Sequence, residues 1–278
     1  MINFNGQLIN KTQTSIEQNR GFLYGDALFE TIKVLDNKVL FAEDHYFRLM
    51  ASMRILRMEI PIEFTLEHLE AEVLKTVDAN NLTSARVRCT VYRSGQGKYL
   101  PETRAVTYLI TVEKTALMYS AEEQPYEMEL FKDFHISKQL LSTLKTTNRL
   151  INITAAIFAK ENGYANCFLI NEDKNIAEAI NGNIFVVKDN IVASPAISDG
   201  CINGVMRKKI IELIQKDPNL QWEERSISPF ELQKADEIFI TNVIQGIRPV
   251  TKYRKKEFGR KLSDRLLMLL NAQIRFNS

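Results

Sequence analysis

The sequence of 278 residues has few of the side chains that hold metals or form cross-links. Its three cysteines, Cys89, Cys167 and Cys201, are an odd number at wide spacings without a CxxC pair. Neither a disulfide framework nor a zinc site is therefore indicated. None of its three histidines has the HExxH spacing of metalloproteases, and GxSxG and GxxxxGK[ST] motifs are absent. We expect no metal, and a metallohydrolase or a nucleotide-binding P-loop protein is disfavoured.

Excess charge and long apolar runs are also missing. Lys plus Arg number 36 against 34 for Asp plus Glu, a formal charge of +2, so no global field favours nucleic acid or an anionic membrane. No uninterrupted apolar run is long enough to cross a bilayer, and the first ten residues lack a signal-peptide pattern. We therefore expect a cytoplasmic protein without nucleic-acid or membrane partners.

The first half of the chain has the pattern of an α+β domain. Asn5-Gly6 and Asp36-Asn37 each separate two apolar segments and predict hairpin turns. Helical periodicity covers 43–57, and Thr65 is a predicted N-cap for a second helix. Further strands are predicted over 84–93 and 105–112.

The second half is predicted to be rich in strands. The polar segment 115–124 is the best linker, so we place a domain of residues 1–118 before one of residues 119–278. Predicted strands cover 126–131, 166–170, 184–187, 191–193 and 237–241, and predicted helices cover 204–215 and 261–275. Ser228-Pro229-Phe230-Glu231 is a predicted capping box.

Lys145 is the first candidate for chemistry. It lies in STLKTTNRLIN, among hydroxyl side chains and without an adjacent acidic residue, just before an apolar run that predicts a helix. Partial burial at such a junction would lower the pKa of the amine and make it a Schiff-base nucleophile. Most lysines are solvated surface residues, so this segment alone does not establish the role.

Six segments in one order carry a family resemblance: RGFLYGDALFET, HYFRL, LKTTNRL, AEAINGNIF, INGVMR and ADEIFITNVIQGIRPV. In this order they resemble the fold-type IV pyridoxal-phosphate enzymes, which include branched-chain and D-amino-acid aminotransferases and aminodeoxychorismate lyases. The resemblance implies pyridoxal 5'-phosphate as cofactor, a homodimer, and two domains with the cofactor site between them. It also implies a C-terminal pseudo-barrel domain that contains the catalytic lysine.

The resemblance assigns cofactor roles to particular residues. It implies that Lys145 is the Schiff-base lysine, which also shuttles a proton to and from the substrate. It implies that Glu178 lies against the pyridine nitrogen and keeps this nitrogen protonated. The other implied cofactor contacts are Arg48 and the amides of Val205 and Met206 at the phosphate, together with Asn183 and Asn242.

Candidate substrate contacts are arginines and one loop tyrosine. Arg93 ends a predicted strand, where its guanidinium could bind a carboxylate through two hydrogen bonds. Arg88 is a second such candidate, and Arg20 and Tyr99 are either substrate contacts or ordinary surface residues. His45, near a helix start, is either an acid–base group or a structural histidine, and the structural role is favoured.

The reaction is harder to predict than the cofactor. Aminotransferases that resemble this chain usually carry Ile-Thr at Val205-Met206 and Gly-Thr at Asn242-Val243, so two hydroxyl groups near the phosphate are missing. We expect an aminodeoxychorismate lyase, which yields 4-aminobenzoate and pyruvate for folate synthesis. A D-amino-acid aminotransferase is the close alternative, and a cofactor-binding protein without turnover is a third. The branched-chain class fits least, because Leu150 replaces its tyrosine.

Overall fold

The chain forms a mixed helix and strand structure, in agreement with the predicted α+β class. The computed structural model describes residues 1–12, 15–116 and 118–276. They divide into two compact units, the first made of Met1–Met118 and Lys145–Asn148 and the second of Tyr119–Leu144 and Arg149–Ser278. Leu117, in the predicted linker, lies outside the described residues. Among the described residues, no helix combines the length and apolarity that a membrane crossing requires.

The first unit is built on an antiparallel sheet of six strands with the order β2-β1-β6-β5-β3-β4. Its strands are β1 (Ile2–Phe4), β2 (Gln7–Ile9), β3 (Ala27–Leu35), β4 (Lys38–Val39), β5 (Ala85–Arg93) and β6 (Val106–Lys114). Its helices are α1 (Arg20–Tyr24), α2 (Ala42–Ile55) and α3 (Leu66–Asp78).

The local signals that predicted this sheet and its helices are confirmed. Asn5-Gly6 joins β1 to β2 and Asp36-Asn37 joins β3 to β4, with positive φ at all four turn residues. The Thr65 side chain accepts a hydrogen bond from the His68 N–H and caps α3. One segment, Arg20–Tyr24, differs from what its composition suggests, because Gly21 and Gly25 favour a loop. It forms a short helix, since the Asn19 side chain caps it and Gly25 ends it in a left-handed conformation.

The second unit contains two sheets of five strands each, with the orders β12-β11-β10-β13-β14 and β16-β15-β7-β8-β9. Its strands are β7 (Glu127–Ile136), β8 (Asn166–Asn171), β9 (Ile176–Ala179), β10 (Asn183–Lys188), β11 (Ile191–Ser194), β12 (Gln221–Glu224), β13 (Glu237–Asn242), β14 (Gly246–Val250), β15 (Lys252–Tyr253) and β16 (Lys256–Glu257). Its helices are α4 (Leu150–Glu161), α5 (Val205–Gln215), α6 (Pro229–Leu232) and α7 (Lys261–Phe276).

The core of the second unit lies where its two sheets face each other. Buried side chains of both sheets form one apolar cluster, with Met128 and Phe168 from one sheet and Ile184 and Ile238 from the other. On strands β10 and β13, alternate residues point away from this cluster, toward the side on which α5 and α7 pack. The predicted capping box at Ser228 is present and starts α6.

Residues 145–148 belong to a different unit from the residues that flank them in the sequence. The resemblance implied that Lys145 belongs to the C-terminal domain, but residues 145–148 group with the first unit. The cause is backbone pairing, because the Phe29 N–H donates to the Lys145 carbonyl at 2.8 Å and the Thr147 N–H donates to the Ala27 carbonyl at 3.1 Å. The segment therefore lies along the β3 edge and is joined to it by one antiparallel bridge, Leu28 with Thr146.

Candidate functional site

Lys145 is held by backbone pairing beside strand β3. Leu28 and Thr146 form an antiparallel bridge, so Lys145 lies opposite Phe29 and points to the same side of the sheet. The amine Nζ lies 4.4 Å from the centroid of the Phe29 ring, within range of a cation–π contact. The side chain is half-buried, as the sequence predicted. Close packing supports this pairing, because a Cβ at Gly25 would lie 2.2 Å from Asn148 Oδ1.

Arg88 shares the Phe29 ring with Lys145. It lies on β5 opposite Thr31 of β3, and its Cζ is 3.8 Å from the ring centroid. Its Nε donates to Thr90 Oγ1 at 3.2 Å, and the side chain is half-buried. An amine and a guanidinium on one aromatic ring form a compact cationic group. Such a group suits a substrate that carries both a reacting carbon and a carboxylate.

Glu30, on the other side of β3, is the centre of a buried ionic cluster. It is 1% exposed, and its Oε2 lies 2.7 Å from His45 Nδ1. Arg48 binds both carboxylate oxygens, with Nε donating to Oε1 at 2.8 Å and Nη2 donating to Oε2. His45 and Arg48 are three residues apart on α2 and so present to one face. Arg48, the expected phosphate contact, is therefore bound to Glu30 in this structure.

The Glu30 cluster has opposing effects on the pKa values of its members. Burial alone would raise the pKa of Glu30, but the charge of Arg48 and the hydrogen bonds from His45 and Arg48 outweigh burial and lower it to about 2. Burial lowers the pKa of His45, although its bond to Glu30 favours the protonated ring. The structure thus gives His45 the structural position that the sequence favoured.

Two of the expected substrate contacts have their hydrogen bonds inside the first unit. Arg93 is 7% exposed, and its three nitrogens donate to Asp26 Oδ2 and to the carbonyls of Arg57 and Leu56. Arg20 is 3% exposed and donates from Nε to Asp26 and from Nη1 to loop carbonyls of residues 96–98. These bonds favour a structural role for both arginines, because all three nitrogens of Arg93 and two of the three nitrogens of Arg20 already donate within the first unit.

Tyr99 lies at the tip of the loop that Arg20 binds. Its side chain is 93% exposed, and its ring centroid is 6.0 Å from that of Tyr24 in α1. The adjacent Leu100 is 84% exposed. The structure therefore gives Tyr99 an exposed position without a hydrogen-bonding role that would fix it near Lys145.

In the second unit, Glu178 and Asn183 both bind the backbone of Ile202. Glu178, on β9, is 4% exposed, and its Oε2 accepts the Ile202 N–H at 3.1 Å. Asn183, on β10, donates from Nδ2 to the Ile202 carbonyl at 2.7 Å. These two bonds fix the segment that leads into α5. The bond from the Ile202 N–H also orients the Glu178 carboxylate, and the expected cofactor contact of Glu178 stays a prediction.

The start of α5 has the features of an anion site. Its N-cap is Gly204, which supplies no side-chain cap to the first-turn amides of Val205 and Met206. A Cβ at position 204 would lie 2.0 Å from Asn183 Oδ1, so only glycine fits this turn. The donors at this helix start therefore suit a phosphate group.

Asn242 has a turn-forming role in the structure. Its Oδ1 accepts the N–H groups of Ile244 and Gln245, and its Nδ2 donates to Gln245 Oε1 at 2.9 Å. These bonds close the turn between β13 and β14. The expected cofactor contact from Asn242 stays a prediction.

Sequence reasoning missed Glu30 and Phe29. A signal for Glu30 was present, because His45 and Arg48 share one helix face and a buried cationic face needs a carboxylate partner. Phe29 carried no such signal, since its role depends on residue 145, which lies more than a hundred positions further along the chain.

We predict that Glu30→Gln will lower the free energy of unfolding by about 3 kcal/mol, because it leaves Arg48 without its buried carboxylate. Urea denaturation of the cofactor-free protein measures this. The matched control is Glu113→Gln, which removes an exposed partner of Arg86 and should cost less than about 1 kcal/mol. Equal effects of the two substitutions would contradict a special role for Glu30.

We also predict that the cofactor-free protein loses stability as the pH falls from 7 to 5. The pKa of His45 is lowered in the folded state, so the unfolded chain binds a proton below about 6.5 that the folded chain does not bind. The loss should reach at most about 1.4 kcal/mol per pH unit. His45→Asn should flatten the slope of unfolding free energy against pH, whereas His135→Asn at an exposed position should not. An unchanged slope in the His45 variant would refute the assignment.

Comparison with known proteins gives the family. A family model described as amino-transferase class IV matches residues 27–253. The chain is 24% identical over 257 residues to a D-alanine aminotransferase of Bacillus licheniformis, covering 92% of this chain and 89% of that protein. It is 28% identical over 255 residues to a provisionally assigned branched-chain-amino-acid aminotransferase of Methanocaldococcus jannaschii, covering 90% and 86%.

A solved structure confirms the fold. The chain superposes with a TM-score of 0.83 on a provisionally assigned 4-amino-4-deoxychorismate lyase from Legionella pneumophila, at 26% identity and with coverage of 95% and 96%. The motifs, the fold and the match over residues 27–253 agree, and the predicted resemblance is confirmed. The chain belongs to the class IV aminotransferase family, whose members are enzymes that use pyridoxal phosphate.

Proposed function

We propose that this enzyme is a 4-amino-4-deoxychorismate lyase that forms 4-aminobenzoate and pyruvate, a step of folate synthesis. The structural basis of the proposal is the shared ring of Phe29, on which the Lys145 amine and the Arg88 guanidinium both lie. This arrangement places an amine, which would act as a base, beside a guanidinium, which would bind a carboxylate. This pair of groups serves a lyase or an aminotransferase, and two further observations favour the lyase. The resemblance to the Legionella protein and the loss of aminotransferase hydroxyls at Met206 and Val243 support the lyase.

The residues present fit pyridoxal phosphate. The uncapped amides of Val205 and Met206 would hold the phosphate, and Glu178 would hold the proton on the pyridine nitrogen. Lys145 would attach the cofactor covalently. When bound, the cofactor accepts the electrons released at the substrate. The proposal relies on the α5 amides as phosphate donors, and the phosphate contact expected of Arg48 stays a prediction, since its bonds to Glu30 use Nε and Nη2.

The chain's own groups then have separate tasks. Arg88 binds and orients a substrate carboxylate through its planar fork, whereas all three nitrogens of Arg93 donate within the first unit. Lys145, freed when the substrate amine takes its place, would remove the proton from the substrate ring carbon. The enolpyruvyl group would leave as enolpyruvate, which gains a proton to become pyruvate, and the ring would become aromatic. Aromatisation drives the reaction forward, and no keto-acid acceptor is required.

We propose that the enzyme is a cytoplasmic homodimer. Leu150, Ile153 and Ile157 on one side of α4 are 76%, 52% and 52% exposed in the single chain. Large apolar side chains that recur on one face of a helix favour contact with another protein surface. A second copy of this chain is the partner that the family resemblance implies.

A D-amino-acid aminotransferase is the second candidate. The similarity to the Bacillus licheniformis D-alanine aminotransferase favours it, and the same Lys145 amine would move a proton from the substrate α-carbon. Arg88 would bind the amino-acid carboxylate in that reaction too. The two candidates therefore use the same residues and differ in the fate of the amino group.

We predict that borohydride reduction of the yellow enzyme will fix the cofactor to Lys145. Peptide mapping by mass spectrometry measures this, and Lys145→Met should abolish the label. The sharpest control is Lys33→Met, because Lys33 is 1% exposed and burial lowers its pKa to about 8, which makes it the rival amine. A label on Lys33, or protein that never turns yellow with pyridoxal phosphate, would refute the proposal.

We predict that the purified enzyme will release 4-aminobenzoate and pyruvate in equal amounts from 4-amino-4-deoxychorismate without a keto acid. Fluorescence of 4-aminobenzoate and a coupled pyruvate assay follow the reaction. A parallel assay with D-alanine and 2-oxoglutarate tests the second candidate. Turnover in the D-alanine assay together with no aminobenzoate would favour the aminotransferase and contradict the lyase. Arg88→Leu should weaken substrate binding by about tenfold or more, since a bond to a charged group is lost.

A further inference from the structure

Thr241, near the end of β13, has a buried hydroxyl without a hydrogen-bond partner. The residue is 2% exposed, and its Oγ1 has no partner among the described residues. Buried hydroxyl groups are normally paired, because removal from water without a replacement bond is unfavourable. A group bound beside Thr241 would give this hydroxyl the partner that it lacks.

The strand register shows where this hydroxyl points. Thr241 pairs with Asn183 of β10, and directly opposite residues present their side chains on the same face of a sheet. That face is turned away from the apolar core, which takes the neighbours Ile184 and Ile240. The Asn183 side chain binds the Ile202 carbonyl and closely approaches Gly204. Thr241 therefore faces the segment that starts α5.

The start of α5 offers donors that lack a cap. Gly204 supplies no side-chain oxygen to the amides of Val205 and Met206, and α5 has 11 residues, enough for a full helix dipole at its start. An additional O–H donor beside two N–H donors favours an anion with several oxygens. Met206 and Val243 lack the hydroxyl groups that similar aminotransferases carry near the phosphate. The Thr241 hydroxyl would replace one of them from a different position in the chain.

We propose that Thr241 donates a hydrogen bond from Oγ1 to the phosphate of pyridoxal phosphate, beside the amides of Val205 and Met206. This inference deepens the proposed function and rests on its cofactor. Thr241 is a binding residue here, and no bond is made or broken at its hydroxyl. This bond would give the buried Thr241 hydroxyl a partner. It would also compensate for the threonines that Met206 and Val243 replace.

The test is Thr241→Val, which keeps the shape of the side chain and removes the hydroxyl. Spectroscopic titration of the cofactor-free protein should show about tenfold weaker binding of pyridoxal phosphate, a typical effect for a bond to a charged group. Binding of pyridoxal, which lacks the phosphate, should not change. Thr241→Ser should restore most of the phosphate preference.

Thermal denaturation without cofactor separates a ligand contact from a structural contact. Thr241→Val should melt at the same temperature as the parent protein or higher, because it removes an unpaired buried hydroxyl. The matched control is Thr76→Val on α3, whose buried hydroxyl donates to the Glu72 carbonyl at 2.6 Å. That variant should melt lower and keep its affinity for pyridoxal phosphate.

Each outcome bears on one proposal. Equal loss of affinity for pyridoxal and pyridoxal phosphate, no loss for either, or a destabilised or unfolded Thr241→Val protein would overturn the role of Thr241. Failure of the parent protein to bind pyridoxal phosphate at all would instead overturn the proposed function.

Discussion

The pairing of residues 145–148 with strand β3 is the contact on which the position of Lys145 depends. Two backbone hydrogen bonds place Lys145 opposite Phe29, and no side chain is required to set this register. Because successive residues of a strand point to opposite sides, β3 offers the Phe29 ring to Lys145 on one side and Glu30 to α2 on the other. Strand β3 therefore has the Lys145 amine on one side and the buried Glu30 cluster on the other.

In the second unit, too, contacts with the backbone hold candidate side chains in position. Glu178 accepts the N–H of Ile202 and Asn183 donates to the carbonyl of the same residue, so the two backbone groups of one residue fix a carboxylate and the entry to α5. Gly204 can follow closely because it lacks a side chain. Charged groups that act on a cofactor are most effective when their supporting contacts are fixed before the cofactor binds.

Much of the fold could be predicted because its signals are local. The Asn5-Gly6 and Asp36-Asn37 turns, the Thr65 cap and the box at Ser228 each depend on a few adjacent residues. The placement of residues 145–148 could not be predicted from periodicity, because strand pairing joins segments that are distant in the chain. The family resemblance singled out Lys145 and Glu178 as candidates, but it gave no sign of the residues that contact them.

The arginines show a second limit of sequence reasoning. A guanidinium at the end of a strand suggests a carboxylate site, and Arg93 fitted that pattern. The structure shows that backbone carbonyls at the end of α2 and the Asp26 carboxylate already take its donors. Every residue has a backbone carbonyl, so the sequence does not show which carbonyls accept hydrogen bonds from an arginine. Only the folded structure shows which partners an arginine binds.

The loop that Arg20 binds is attached at its base and exposed at its tip. Replacement of Tyr99 or Leu100 would therefore alter neither a buried contact nor a sheet hydrogen bond. Natural variation can accumulate at this tip without a cost in folding, and laboratory libraries that randomise it should yield mostly intact protein.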